Sequence, residues 1–492
     1  MRHLSIQELH QDYNNGVTTP SQVVEGYLGS IRKSHHNAYI SVLEKRVREQ
    51  AIRADLELKK TGKVPSDRLP LFGVPMAYKD LLTVKGERTT AASKMLENYI
   101  PPYTATCIAR LEEAGALGLG KVNLDEFAMG GSNENSAFGP VDHPTHAGFT
   151  PGGSSGGSAT AVGADLCHAS LGSDTGGSIR LPAHFCGIVG FKPSYGRISR
   201  HGVIAFASSL DQVGPMTKSV YDAALLTEVM AGEDIKDSAM IAGQSPKFTQ
   251  DLFKQGIDLR GVRVGVPKEY WGDGLDPDMS RVLRERLKQI KEAGATLVEV
   301  SLPHTKYSVS VYYLVAVSEA SSNLSRMDGM RFGVRPAQAD MASSLEEQYQ
   351  ISRSLFGSEV KRRILLGTFA LSSGYYDAYY KRACQVRRLI AQDFDSVFTK
   401  CDVLVGAISA TPAFKRTEKE QDPLKLYLND ILTIPANLAG LPALSLPVGT
   451  IRSEKLPIGL HVIAPRERDE SLLQFAQSLE TLFQNASQLG RK

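Results

Sequence analysis

The feature that most limits what this chain can become is a pair of Gly–Ser clusters. They are Gly152-Gly153-Ser154-Ser155-Gly156-Gly157-Ser158 and Gly172-Ser173-Asp174-Thr175-Gly176-Gly177-Ser178. Between them lies the apolar stretch Ala159–Leu171, and after them comes Ile179-Arg180-Leu181-Pro182. Glycine and serine at this density usually mark a flexible linker. A linker would not embed that much Val, Leu and Ala, so the region is folded. Consecutive glycines let main-chain N–H groups converge with no Cβ in the way. Such a nest stabilises either a phosphate or the oxyanion of an acyl-transfer intermediate. A serine inside it is suited to nucleophilic attack, provided a base takes its proton.

Several familiar motifs nearly match. Gly152-x-Ser154-x-Gly156 has the spacing of a nucleophile elbow, but that turn needs a strand directly before it, and His143–Thr150 is rich in His, Pro and Gly. Asp174-Thr175-Gly176 resembles an aspartic-protease triplet without the second triplet that such a dyad requires. A phosphate-binding loop would continue into Gly-Lys-Ser/Thr, which is absent. The 11 histidines show no zinc-ligand spacing. The candidate base is Lys79, in the apolar run Leu71–Leu82, where burial disfavours an ammonium and lowers its pKa. Asp80 would point to the opposite face of a strand. The alternative, a Lys79–Asp80 salt bridge at a strand end, stays open on the residues alone.

Composition sets the frame. The chain has 492 residues, 42% hydrophobic and 22% charged, enough for a large core and far from a disordered composition. Lys+Arg 56 against Asp+Glu 53 leaves a net charge of +3, too balanced for a protein built to neutralise nucleic-acid phosphates. Cys107, Cys167, Cys186, Cys384 and Cys401 are odd in number and widely spaced, which fits small buried hydrophobes in a reducing, cytoplasmic setting. No apolar run has membrane-spanning length, and the first residues lack a secretory apolar region. Helix starts are expected at Ser5 with Glu8 and at Thr19-Pro20-Ser21-Gln22, with a solvated helix and then a loop within Glu44–Lys63. Strands are expected after Pro75, at Ala116–Gly120, Val403–Gly406 and Leu444–Leu446. Val262–Val266, Asp278–Ala293 and Thr296–Val300 read as a βαβ unit. No break divides the chain, so a single α/β domain over 1–492 with a mixed sheet and a helical region at 1–62 is expected.

The two clusters and Cys186-Gly187-Ile188-Val189-Gly190-Phe191-Lys192-Pro193 resemble, nearly end to end, the amidase signature enzymes. The stretches Thr90–Glu97, Asn123–Ser132, Phe206–Gly214, Glu319–Arg326, Gly367–Tyr379 and Tyr427–Leu441 are similar to the family's tRNA-dependent amidotransferase branch. The resemblance implies a mixed, mostly parallel central sheet covered by helices on both faces. It implies Ser178 as acyl nucleophile, Ser154 as proton relay beside a cis peptide, and Lys79 as base. The amides of Thr175, Gly176, Gly177 and Ser178 would form the oxyanion hole. Tyr312, Arg363 and Asp430 would hold the α-carboxylate and α-ammonium of free glutamine, as a guanidinium fork and a carboxylate are suited to do. Without the resemblance, Arg363 is part of a solvated basic run and Asp430 a helix cap.

The implied activity is glutamine hydrolysis supplying ammonia to amidate misacylated Glu-tRNA(Gln), and Asp-tRNA(Asn). No cofactor or metal is implied for this chain: ATP and Mg²⁺ would serve a partner B subunit that binds the tRNA, with a small C subunit clamping the two. A stand-alone amidase of the same family and a non-catalytic scaffold are the competing readings. Met76-Ala77-Tyr78, Gly406-Ala407-Ile408-Ser409 and Val141–Thr150 depart from the family pattern without removing any of these residues.

Overall fold

The computed structural model describes residues 5–243, 246–250, 252, 256, 258–272, 274–416, 429–452 and 454–489. Residues 1–4 and 490–492, and Tyr427 and Leu428 of the stretch Tyr427–Leu441, lie outside the described residues.

Helix α1 (Ile6–Asn14) starts where Ser5 accepts the Glu8 N–H and Glu8 accepts the Ser5 N–H, a reciprocal capping box. Helix α2 (Pro20–Lys33) starts the same way at Thr19 and Gln22, with Pro20 in the first turn, where a missing N–H costs nothing. Its buried face is Val23, Val24, Tyr27, Leu28 and Ile31. Helix α3 (Glu44–Thr61) ends at Gly62, whose φ of 72° is the left-handed conformation that suits glycine. Between α2 and α3 the chain makes strand β1 (Tyr39–Val42). The N-terminal region is therefore not purely helical: it supplies the first edge of the sheet.

The remaining strands are β2 (Pro75–Lys79), β3 (Leu117–Val122), β4 (Ala169–Asp174), β5 (Val189–Lys192), β6 (Gln212–Thr217), β7 (Arg263–Pro267), β8 (Thr296–Val300), β9 (Val403–Ala407), β10 (Ala443–Ile451) and β11 (Leu456–Ile463). All join one 11-stranded sheet in the order β1-β3-β2-β4-β6-β5-β10-β11-β9-β7-β8. Helices α4 (Thr106–Glu113), α5 (Gly156–Gly163), α6 (Arg180–Cys186), α7 (Val220–Met230), α8 (Pro277–Glu292), α9 (Ser308–Asn323), α10 (Leu345–Arg353), α11 (Ser358–Leu371) and α12 (Arg382–Val397) flank it. Every residue of β2, β3, β4, β6 and β9 is buried, as in a sheet covered on both faces.

The sheet is mixed, but parallel pairing does not dominate it. Among the described residues, only β2–β3, β2–β4, β7–β8 and β7–β9 pair in parallel. The pairs β1–β3, β4–β6, β5–β6, β5–β10, β10–β11 and β9–β11 are antiparallel. The cause is local. The middle of the sheet is built from a tight hairpin (β10–β11) and from β6, which lies between β4 and β5 and runs antiparallel to both. The β7-α8-β8 unit is present as expected, with β7 and β8 adjacent and parallel. Among the described residues, no helix is long and apolar enough to cross a membrane. Four of the cysteines are buried, Cys384 is partly buried, and all five are free.

The parallel set β3-β2-β4 positions the site. Parallel strands leave a crevice beyond their carboxyl ends, where connections depart for helices. Here that edge carries Lys79, the last residue of β2, the loop after β3, and the second Gly–Ser cluster, which begins in the last residues of β4 and continues past it. The first cluster leads into α5, which fits close to β3: a Cβ on Gly157 would lie 2.3 Å from the Asn123 carbonyl oxygen and 2.6 Å from the Asn123 nitrogen. Main chain cannot yield as a side chain can. Gly157→Ala is expected to destabilise by about 1–3 kcal/mol or more, as overpacking does, read as a lowered denaturant midpoint.

Candidate active site

Lys79 is fully buried at the end of β2. Its ammonium nitrogen donates to Ser154 Oγ at 2.8 Å, Ser155 Oγ at 2.8 Å and Ser173 Oγ at 2.9 Å. No carboxylate touches it among the described residues. Asp80, the suspected salt-bridge partner, points to the other face, as a strand dictates. It accepts from Lys121 Nζ at 2.9 Å and from the Thr90 N–H at 2.9 Å. Burial lowers the Lys79 pKa to about 7, against the raising pull of Asp125, Asp174 and Asp211. Near neutral pH a substantial fraction of this amine is uncharged and free to accept a proton.

Ser154 lies in the turn entering α5, after a cis Gly153–Ser154 peptide. Asp125, on the loop after β3, closes over this turn. Its carboxylate accepts from the Asn133 and Asn135 amides at 3.0 and 3.1 Å. It fills the space beside Gly153, where a Cβ would lie 2.1 Å from Asp125 Oδ2. Burial raises the Asp125 pKa to about 6, although those amides and Lys79 oppose the shift.

Ser178 ends the turn between β4 and α6 and is almost fully buried. Its carbonyl accepts the Ser155 N–H at 3.2 Å, so the two Gly–Ser clusters are joined through main chain. Among the described residues no hydrogen bond engages the Ser178 hydroxyl, so the Ser154–Ser178 link is not formed in this structure. One of the four amides expected to face an oxyanion is also committed elsewhere: Gly177 N–H donates to Asp174 Oδ1 at 2.9 Å. The buried Asp174 carboxylate takes the nearest main-chain donors, and Ile179 N–H supplies its other oxygen at 3.2 Å. The amides of Thr175, Gly176 and Ser178 have no acceptor among the described residues.

Behind this turn lies an ion pair that the sequence reading passed over. Arg180 forks onto Asp174, with Nε to Oδ2 and Nη2 to Oδ1 both at 3.0 Å. Arg180 also donates to the Thr433 carbonyl at 3.1 Å and to Asn437 Oδ1 at 2.5 Å, and meets His461 Nε2 at 3.0 Å. Burial alone would raise the Asp174 pKa. The charge and hydrogen bonds of Arg180, with Lys192 and Asn437, outweigh it and hold the carboxyl well below the usual range. Both residues lie in the segment Gly172–Arg180, and an Asp six positions before an Arg at a turn was the available signal. Ser155, Ser173, Asp125 and Asp211 were also missed. Asp211 accepts Thr175 Oγ1 at 2.7 Å and steadies the nest from β6's side.

The structure brings Tyr312 and Asp430 to the nest, with Arg363 near enough to act electrostatically on both. Tyr312 on α9 is buried against Gly176, where a Cβ would lie 2.7 Å from the ring carbon Cζ. Asp430 borders Gly177 and Gly131, with hypothetical Cβ distances of 3.2 and 3.7 Å to its carboxylate oxygens. Arg363 on α11 is buried, not solvated. Its Nε donates to Glu359 Oε1 at 2.8 Å, and its guanidinium lies 5.3 Å from the Tyr313 ring centre and 5.5 Å from that of Phe206. Asp430 is no helix cap: it is its main-chain carbonyl that accepts the Thr433 and Ile434 amides. Burial and the charge of Asp174 push the Asp430 pKa up to about 8, with Arg363 and Arg180 opposing. Among the described residues, no group of three or more His, Cys, Asp or Glu side chains is arranged to hold a metal ion.

A profile of the Amidase family matches residues 22–473. The chain is 51% identical over 445 residues to the A subunit of glutamyl-tRNA(Gln) amidotransferase from Koribacter versatilis, covering 90% of each chain. It is 47% identical over 480 residues to the protein of that name from Syntrophus aciditrophicus, covering 97% of this chain and 96% of the other. The crystal structure of the corresponding A subunit of glutamyl-tRNA(Gln) amidotransferase from Thermotoga maritima matches at a TM-score of 0.79 and 39% identity, covering 97% and 94%. The peptide amidase from Stenotrophomonas maltophilia matches at 0.80 and 27% identity, covering 98% and 97%.

Arg180 and Asp174 are both fully buried. Removing one partner of such a pair strands a charge, which costs about 3–5 kcal/mol. Arg180→Ala is expected to lower stability by that amount, measured by chemical denaturation.

Proposed function

This chain belongs to the amidase family, and on that premise we propose that it is the glutamine-hydrolysing subunit of a tRNA-dependent amidotransferase. The observation that carries the reading is the Lys79 amine, buried, near its neutral point and 2.8 Å from Ser154 Oγ, beside a glycine nest that ends in Ser178. The neutral amine accepts the Ser154 proton as Ser154 accepts that of Ser178, whose side chain turns onto Ser154 as substrate enters. Ser178 Oγ attacks the side-chain carbonyl carbon of glutamine, and the free amides of Thr175, Gly176 and Ser178 meet the oxyanion. The proton returns through Ser154 to the nitrogen, the C–N bond breaks and ammonia leaves. Water then attacks the γ-glutamyl ester, its proton passing along the same relay, and glutamate and free Ser178 are restored.

Glutamine, rather than an amide without a charged end, is favoured by the convergence of Tyr312, Arg363 and Asp430 on the nest. Arg363 suits the α-carboxylate. Asp430, largely protonated before substrate arrives, ionises against the α-ammonium. The relatives named as an A subunit support an assembly in which ammonia passes to a partner B subunit. ATP, Mg²⁺ and the misacylated tRNA, Glu-tRNA(Gln) or Asp-tRNA(Asn), belong to that partner, with a small C subunit joining the two. An exposed apolar patch on this chain is consistent with burial against another subunit: Leu365, Leu366, Phe369, Tyr375, Tyr376 and Tyr379.

Two measurements test the reading. Ser178→Ala should lose glutamine hydrolysis by on the order of 10⁴-fold or more, yet still support amidation from free ammonium when assembled with its partners. A Ser178→Ala protein that hydrolyses glutamine normally would falsify the assignment. The rate of glutamine hydrolysis should also climb with pH along a limb centred near 7, as Lys79 loses its proton. A profile flat from about pH 5 to 9 is incompatible with this base.

A further inference from the structure

We infer that Glu126 is a positioning residue that sets the Arg363 end of the substrate clamp from the Ser154 end of the site. The inference rests on the glutamine reading above. Glu126 follows Asp125 directly, and the two carboxylates turn opposite ways. Asp125 lies over Gly153, and its N–H donates to the Ser154 carbonyl at 3.2 Å. Glu126 Oε2 accepts the Gly357 N–H at 2.8 Å, and its Oε1 accepts the Ser93 hydroxyl. Gly357 immediately precedes α11, the helix that carries Arg363.

The fit around Glu126 is close. A Cβ on Gly357 would lie 2.4 Å from Glu126 Oε2, so glycine leaves room for the carboxylate to reach the main chain. One residue further along on each side, the Phe127 and Phe356 rings meet edge to face, with centres 5.6 Å apart. Phe127 and Ala128 have φ of 51° and 61°. That region is unfavourable for residues with a Cβ and persists where the surroundings over-determine it. Glu126 is buried, and burial raises its pKa to about 7 against the hydrogen bonds from Ser93 and Gly357 and the charge of Lys361. Arg363 takes its side-chain direction from Glu359 within the same helix. A helix moves as a unit, so release of Gly357 at its start displaces the guanidinium relative to Ser178 without touching Lys79 or Ser154.

The experiment compares Glu126→Gln with Glu126→Asp in the full chain assembled with its partner subunits. Gln keeps the reach and an acceptor for Gly357. Asp keeps the charge but is one methylene too short to bridge Ser93 and Gly357. Glu126→Asp should raise KM for glutamine by about 10-fold or more with kcat within about 2-fold, while Glu126→Gln stays within about 3-fold of wild type in both. Acylation of Ser178 by a small activated ester lacking both α-groups should proceed equally in all three proteins. An unchanged KM in Glu126→Asp overturns the inference. So does a fall in kcat at constant KM, or a parallel loss of ester acylation, which marks general damage to the fold. If Glu126→Asp does not fold, Ser93→Ala removes one of the two hydrogen bonds, and an unchanged KM there overturns the inference as well. Absence of glutamine turnover in the wild-type protein would defeat the functional reading instead.

Discussion

The site depends first on the buried ion pair between Asp174 and Arg180. Asp174 is the last residue of β4 and Arg180 the first of α6, so the pair closes the turn that displays Ser178. Asp174 draws the Gly177 and Ile179 amides inward, which defines which of the neighbouring amides face outward. Arg180 spends its other donors on Thr433, Asn437 and His461, tying the turn to segments far along the chain. A buried pair is weak evidence for net stability, because desolvation offsets attraction. Its use here is geometric: with both charges satisfied in fixed directions, the nest has one arrangement.

The second constraint is the environment of Lys79. A buried ammonium ordinarily acquires a carboxylate partner. Lys79 has three serine hydroxyls instead, and the nearby carboxylates are engaged elsewhere: Asp125 by Asn133 and Asn135, Asp174 by Arg180, and Asp211 by Thr175. They act on the amine at a distance, too weakly to offset burial. The contrast with Lys121 is instructive. That lysine lies equally buried on the neighbouring strand, but it donates to Asp80 at 2.9 Å in an ordinary ion pair.

Much of the local structure was legible. Capping boxes at Ser5 and Thr19 show directly in sequence because a helix start needs particular side chains at fixed offsets. The β7-α8-β8 unit was legible because α8 buries Leu283, Leu287 and Ile290 at helical spacing between two apolar runs. Other elements were not. Strand β1 has four half-buried residues and no clean alternation, while β6 carries Pro215 and β11 Pro457, residues that ordinarily argue against a strand. The mostly parallel sheet implied by the resemblance does not hold pair by pair, and nothing in the residues of β5, β6, β10 or β11 announces strand direction. The four-amide oxyanion hole failed at Gly177, because the demands of a buried Asp174 are invisible until its surroundings are known.

The residues alone determined the chemistry available to this protein: a glycine-rich nest, serines within it, and a lysine in an apolar run suited to lose its proton. These are properties of side-chain type and spacing, which a sequence carries directly. Tertiary structure alone decided that Lys79 turns toward the serines while Asp80 turns away to Lys121, and that Tyr312 and Asp430, from separate parts of the chain, border one nest within the electrostatic reach of Arg363. Those outcomes depend on which strands and helices lie side by side. The physical reason is that burial and long-range contact set both the charge state of a group and its neighbours, and neither is a local quantity.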